Sequence, residues 1–234
     1  MDLYDGIMTT RAMRRLAPDP VPRADIEAIL RAAQQGPSGG NIQPWQFVVL
    51  TSPEDRRWMG DCYRACYERY ENALLAMVGP QPDADSQASW DRTIAASRHL
   101  AQNLSEVPVH VLVCMPELDL TLTDEEGPMD IGTTHASVYP AVQNLVLAAR
   151  GLGLGSVVTT VFRIRHDEVR AHFGIPDGWS IAALVPVGRP LGRFGVARRK
   201  PVQKVTHWGS WGERQEFETP EYTAPRDPGQ GEVG

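Results

Sequence analysis

The 234-residue chain is predicted to fold as one domain of mixed α-helices and β-strands, followed by a polar extension after about Gly188. Three observations predict it. Apolar residues recur at helical spacing, most clearly Ile26, Ile29, Leu30 and Ala33, and again through 133–150. Between such stretches stand short, dense apolar runs, QFVVLT (46–51) and VPVHVLVCM (107–115), which read as buried strands. No internal repeat and no linker-like stretch divides the body.

Taken in order, Leu3 to Met13 reads as a short helix ended before Pro18 and Pro20. Pro22 opens a second helix, because its fixed φ suits a first turn, and Gly36 stops it. The breakers of 36–41 make a loop ahead of the strand at 46–51. Two helices, 54–78 and 86–104, flank a Gly/Pro-rich connector. The strand 107–115 tolerates Pro108 only at its start. An acidic loop, 117–130, precedes a long helix at about 133–150, whose Val142, Leu145, Val146, Ala148 and Ala149 form a face broad enough for burial on several sides. Strands follow at 156–161 and 181–187, with a helix near 167–173 between them.

Composition narrows the class. Apolar residues at 42% support a sizeable core, yet no run approaches the roughly 18 apolar residues of a membrane helix. Met1 to Gly6 is polar and lacks the pattern of a secretion signal, so a cytoplasmic protein is expected. Three cysteines cannot close a disulfide framework and read as reduced, buried thiols. The histidines are scattered singly, which argues against a metal site. The net charge of -6 is concentrated in an acidic, Pro-rich tail, 212–234, so neither nucleic acid nor a membrane surface is an expected partner. Two basic knots remain, Arg11, Arg14 and Arg15, and Arg198, Arg199 and Lys200. In a chain this rich in arginine, each reads either as solvated surface or as an anion site.

Gly151-Leu-Gly-Leu-Gly-Ser156 has the wrong spacing for a dinucleotide fingerprint and follows a helix instead of opening one, so it reads as a helix stop and tight turn. Pro37-Ser-Gly-Gly-Asn-Ile-Gln-Pro-Trp45 gathers a hydroxyl, two glycines and two amides ahead of a strand. The glycines let backbone N–H groups approach a planar ligand, and Ser38 and Asn41 supply directional hydrogen bonds; an ordinary turn with an Asn cap explains the same residues. Hydrolytic, Walker and metalloprotease motifs are missing, so an enzyme built on this chain borrows its chemistry from a cofactor. The arginines then suit a terminal phosphate, and the loop suits a ribityl chain and a heterocycle.

Four segments in order, TTRAMRRL (9–16) with Pro-Val-Pro after it, GPSGGNIQPW (36–45), QNLVLAARGLGLG (143–155), and VPVG (185–188) with RRKP (198–201), make the chain resemble the nitroreductase family of flavin enzymes from about residue 4 to Trp211. The resemblance implies an α+β fold, a three-layer α/β/α sandwich with a central, mostly antiparallel sheet. It further implies an intertwined homodimer with FMN sites at the interface, a 188–211 extension reaching over the partner, and the 133–150 helix at the dimer core. Arg11 and Arg14 match the phosphate-binding opening, and Arg199 the closing arginine; Ala12 stands where the family usually has Ser. Pro37, Ser38, Gly39 and Asn41 match the loop along the ribityl and ring edge. Val158, Thr159 and Thr160 match the strand end where a backbone N–H faces flavin N5; the alternative reading is ordinary β-branched strand residues.

The implied activity is ping-pong hydride transfer from NADH or NADPH through the flavin to a nitroaromatic, quinone or enone, with no protein catalytic residue and no metal. The same scaffold also implies, as alternatives, dehalogenation, dehydrogenation of peptides or azolines, and flavin fragmentation. Outside catalysis stand a flavin-binding protein without turnover and a cofactor-free interaction protein. Substrate choice would lie in 58–130, where Tyr70, Trp90 and Arg98 are candidates alongside plain core packing.

Overall fold

Helix α2 (Arg23–Ala33) shows the local logic of the fold in this computed structural model, which describes residues 1–118 and 120–223. Ile29 and Ala33 are buried, and with Ile26 and Leu30 they pack against helix α5 (His135–Gly151). Behind them lies a four-stranded sheet of β1 (Gln46–Leu50), β2 (Val109–Pro116), β5 (Gly155–Ser156) and β6 (Trp179–Gly188), in the order β1-β2-β6-β5, every pair antiparallel.

Alternation along β2 divides the core. Val109, Val111, Val113 and Met115 face α2 and α5. His110, Leu112 and Cys114 turn to the other face, towards the layer made by α3 (Pro53–Met77), α4 (Ala84–Asn103) and the 3₁₀ turns Leu104–Glu106 and Val161–Arg165. The helix–sheet–helix layering and antiparallel sheet agree with the α+β expectation. The breadth of α5's apolar face is used within the chain, by α2 on one side and the sheet on the other.

Caps set the long helices. Ser52 accepts the Asp55 N–H ahead of Pro53, and Asp83 accepts the Ser86 N–H, each satisfying one orphan donor of a first turn. The chain enters β5 as a helix stop: Leu154 N–H bonds Ala149 C=O, and Gly153 takes a φ of 74°. Gly155 leads into the strand β5 and not into a helix, so the 151–156 run is a helix stop with a tight turn into a strand and not a phosphate cradle.

Three expectations are corrected. The first helix, α1, spans only Leu3–Thr9, because Thr10 is already extended. The acidic 117–130 stretch contains a hairpin, β3 (Thr121–Asp124) with β4 (Gly127–Asp130), Leu122 opposite Met129. The run 156–161 is not a continuous strand: β5 stops at Ser156, Thr159 forms an isolated bridge with Leu184, and Val161 begins a 3₁₀ turn that buries Phe162 completely. β-Branched propensity loses there to packing.

The described residues form two compact units, 12–193 and a terminal unit of 1–11 with 194 onward. Within the terminal unit, Tyr222 donates to Asp5 at 2.7 Å and meets Tyr4 edge-on, and Gln203 donates to the Phe217 carbonyl. Of the expected tail, 212–234, Tyr222 thus meets α1, and residues from 224 lie outside the described residues. The three cysteines are buried, and burial pushes Cys62 up to about 12 and Cys114 up to about 11, so these thiols are poor nucleophiles. No helix among the described residues is long and apolar enough to cross a membrane.

Candidate cofactor site

The segment after α1 lies extended along the end of the sheet. Met13 N–H donates to Ser156 C=O at 2.9 Å, Leu191 N–H to Arg15 C=O at 3.0 Å, and Ala17 N–H to Arg189 C=O at 2.8 Å. Gly155 makes this approach possible: a Cβ there would stand 2.8 Å from Leu16 Cδ2 and 3.0 Å from Met13 Cβ. Met13 and Leu16 are thereby buried, and Arg14 between them is half-buried. Among the described residues no carboxylate lies within ion-pair distance of Arg14, Arg11 or Arg199.

Arg14 is brought together with the strand end. Tyr63 of α3 shares a 2.8 Å hydrogen bond with Thr159 Oγ1. Burial raises the Tyr63 pKa, and the Arg14 guanidinium is near enough to oppose that rise. Both backbone groups of Thr159 are spent on Leu184, N–H at 3.0 Å and C=O at 2.9 Å. The N–H groups of Val158 and Thr160 have no protein partner among the described residues. Of the three residues expected here, Thr159 therefore cannot offer its backbone N–H to a ligand.

Ala12 is exposed and offers no side-chain donor. Arg15 does not stand in for the missing hydroxyl: its guanidinium reaches His99 Nδ1 at 3.4 Å. Arg11 and Arg199 lie exposed in the terminal unit, Arg199 donating to the Arg198 carbonyl.

The Ser38 loop is built more tightly than an ordinary turn. Gly36 is pressed on α5, where a Cβ would stand 2.6 Å from Ala141 N. Gly39 N–H donates to Ser137 Oγ, Gln43 N–H to Ser38 Oγ, and Gln43 Nε2 to Asn41 Oδ1. Gly40, Asn41 and Gln43 all have positive φ, 57°, 55° and 47°, and the last two are not glycine, so the loop holds strained backbone. Pro37, Ser38 and Gly39 line a cavity of about 540 Å³ whose wall, among the described residues, carries no charged side chain. Asn41 is not in that wall. Residues that sequence reasoning missed complete it: Leu120 and Ile131 at the ends of the hairpin, and Ser137 and Pro140 of α5. No pattern marks them, since each reads as helix or loop filler.

Of the substrate candidates, Arg98 is committed to Glu71 at 3.0 Å, tying α4 to α3, while Tyr70 is exposed and Trp90 half-buried. Among the described residues no cluster of His, Cys, Asp and Glu is placed to hold a metal.

The chain is 27% identical over 212 residues to a Thermus thermophilus protein named NADH dehydrogenase, covering 89% of this chain and 96% of that one. It is 28% identical over 203 residues to the 5,6-dimethylbenzimidazole synthase of Rhodospirillum rubrum, covering 82% and 87%. Its structure matches that of oxidised iodotyrosine deiodinase bound to FMN and 3-iodo-L-tyrosine with a TM-score of 0.63 at 25% identity, over 95% of this chain and all of that one. The family model described as the nitroreductase family matches residues 7–189, and the chain therefore belongs to that family.

Proposed function

We propose that the chain is an FMN-dependent oxidoreductase, a homodimer that passes hydride from NADH or NADPH to an uncharged, electron-poor ring compound such as a nitroaromatic or quinone. The observation that carries this reading is Arg14, a half-buried cation with no carboxylate within ion-pair distance among the described residues, near Tyr63, whose hydroxyl bonds Thr159 between two N–H groups that have no protein partner among the described residues.

The donor set fits the cofactor. Arg14 would grip the phosphate as a charged, bidentate donor. Ser38 and Gly39 would follow the ribityl chain and ring edge, with Pro37 against the ring and Asn41 holding the loop's shape through Gln43. Thr160 N–H would donate where negative charge builds on the reduced ring. The flavin, when bound, would supply the hydride chemistry, and the chain would hold and orient it, with the described wall of the Pro37–Gly39 cavity free of charged side chains. Among its described residues that wall offers no counter-ion for the charged groups of an amino acid, which favours an uncharged substrate. The deiodinase and benzimidazole-synthase relatives support dehalogenation or flavin fragmentation as the second reading.

The test is anaerobic. Purified protein should be yellow, release FMN on denaturation, bleach with NADH or NADPH, and recover colour with a nitroaromatic. Initial-rate double-reciprocal plots should be parallel, as alternation of substrates on one face requires. A colourless preparation rejects the reading, and intersecting lines reject the shared face. Replacing Arg14 with Ala removes one charged hydrogen-bonding partner, worth about 1.5–3 kcal/mol, so FMN binding should weaken about 10- to 100-fold. The melting temperature of the apoprotein should barely change. Unaltered FMN affinity would remove Arg14 from the phosphate site.

A further inference from the structure

We infer that Tyr63 is the positioning residue of the flavin site, an inference that rests on the FMN reading above. Thr159 meets β6 through a single isolated bridge to Leu184, with Val157 and Val158 outside any ladder on its N-terminal side and a 3₁₀ turn on the other. A lone bridge has no neighbouring pairs to hold its register. What reinforces it comes from a different layer. α3 buries Met59, Tyr63, Cys66 and Tyr67 along one face, and the Tyr63 hydroxyl, needing a partner once buried, finds Thr159 Oγ1. Burial keeps that phenol protonated despite the nearby Arg14. Thr159 is thereby held at three points, two on the backbone and one on the side chain.

The consequence falls on the next residue. In a trans peptide, C=O and N–H point in opposite directions. Since Thr159 C=O is aimed at Leu184 N–H, Thr160 N–H is aimed away from β6, where no strand among the described residues takes it up. Tyr63 aims this donor without touching the cofactor itself, by holding the residue whose peptide plane carries it. Its effect is on the reduced state, where charge on the flavin ring makes an aligned N–H worth more than in the oxidised state.

The experiment uses the full chain loaded with FMN and compares Tyr63→Phe, Thr159→Val and the double variant, reading the reduction potential of bound FMN, the affinity for oxidised FMN and the melting temperature. Tyr67→Phe is the control: it removes a hydroxyl from the same buried face that bonds Glu71 and the Ile94 carbonyl, not the bridge. Each single variant should lower the ratio of reduced- to oxidised-FMN affinity about tenfold, about 30 mV for a two-electron couple. The double variant should go no further, since both remove one bond, and Tyr67→Phe should leave the potential in place. A lower melting temperature with an unchanged potential in Tyr63→Phe and Thr159→Val would overturn the inference while leaving the FMN reading intact. So would an equal shift in Tyr67→Phe. A wild-type chain that binds no FMN would overturn both.

Discussion

Replacing Gly36 with alanine should destabilise the protein by about 2–3 kcal/mol and weaken FMN binding in the same step. The added methyl would lie 2.6 Å from Ala141 N, 2.9 Å from Ala141 Cα and 3.1 Å from the Pro140 carbonyl carbon. All three are backbone atoms of α5, and none can swing aside as the end of a long side chain would. α5 cannot retreat either, because Val138, Val142, Leu145 and Ala149 seat it on the sheet and α2. The strain must go into the loop that starts at Gly36, which already holds three positive-φ residues, Gly40, Asn41 and Gln43, and is bonded to α5 through Gly39 and Ser137. That loop forms the cavity wall at Pro37, Ser38 and Gly39, so stability and cofactor affinity fall together. Gly151→Ala is the control: nothing stands within 4 Å of its Cβ position at the end of α5, and the change should be neutral or slightly stabilising. Denaturant melts and FMN titration of both variants decide it; matching behaviour would show that the loop yields freely and that Gly36 is merely a helix stop.

Gly36 also shows how far pattern reading reaches. As the residue ending α2 it is plain from the sequence, because a helix needs a terminator there. Its second duty, admitting the α5 backbone, depends on a residue 105 positions away and leaves no local trace. The same division runs through the molecule. α2, β1 and β2 are legible because each buries a face against the core and so carries a periodic apolar signal. The hairpin β3–β4 is invisible because all but one of its eight residues are exposed and Pro128 and Gly127 read as breakers. In the site, Arg14 announces itself by charge and spacing, whereas Tyr63 looks like any core aromatic on a helix. Only the partner at Thr159, brought in from 96 positions along the chain, separates the two meanings. Thr159 itself shows the limit in the other direction: resemblance marks 158–160 as a group, and only the bridge to Leu184 reveals which N–H groups remain to be offered.

Acid should unfold this protein earlier than its carboxylates alone would, and His110 is the cause. The ring is fully buried on β2, with Nε2 on the Leu104 carbonyl at 2.8 Å and Nδ1 facing no hydrogen-bond partner. Protonation would put a second N–H, and a charge, where nothing accepts them. Burial is the main cause, opposed by the Leu104 carbonyl and assisted by the Arg56 guanidinium, and together these hold the His110 pKa down to about 4. An unfolded histidine titrates near 6.5, so between pH 6.5 and 4 the unfolded chain takes up a proton that the folded chain refuses. The stabilisation is therefore complete above pH 6.5 and is lost as pH falls through that window, reaching about 3 kcal/mol at its lower end and about 2 kcal/mol by pH 5. His99 and His166 are also lowered, chiefly by burial, and add to the loss in the same direction. His110→Gln keeps an N–H donor for the Leu104 carbonyl without a titrating group, at some loss of packing at neutral pH. Its denaturant stability should fall by about 2 kcal/mol less than that of the wild type between pH 7.5 and pH 5. Because His110 sits on β2 at the carbonyl of the turn that ends α4, acid would first loosen the contact between the sheet and the α3–α4 layer, the layer from which Tyr63 reaches Thr159. Equal acid sensitivity in His110→Gln and wild type would place the proton-linked step on other groups and detach β2 from that sequence of events.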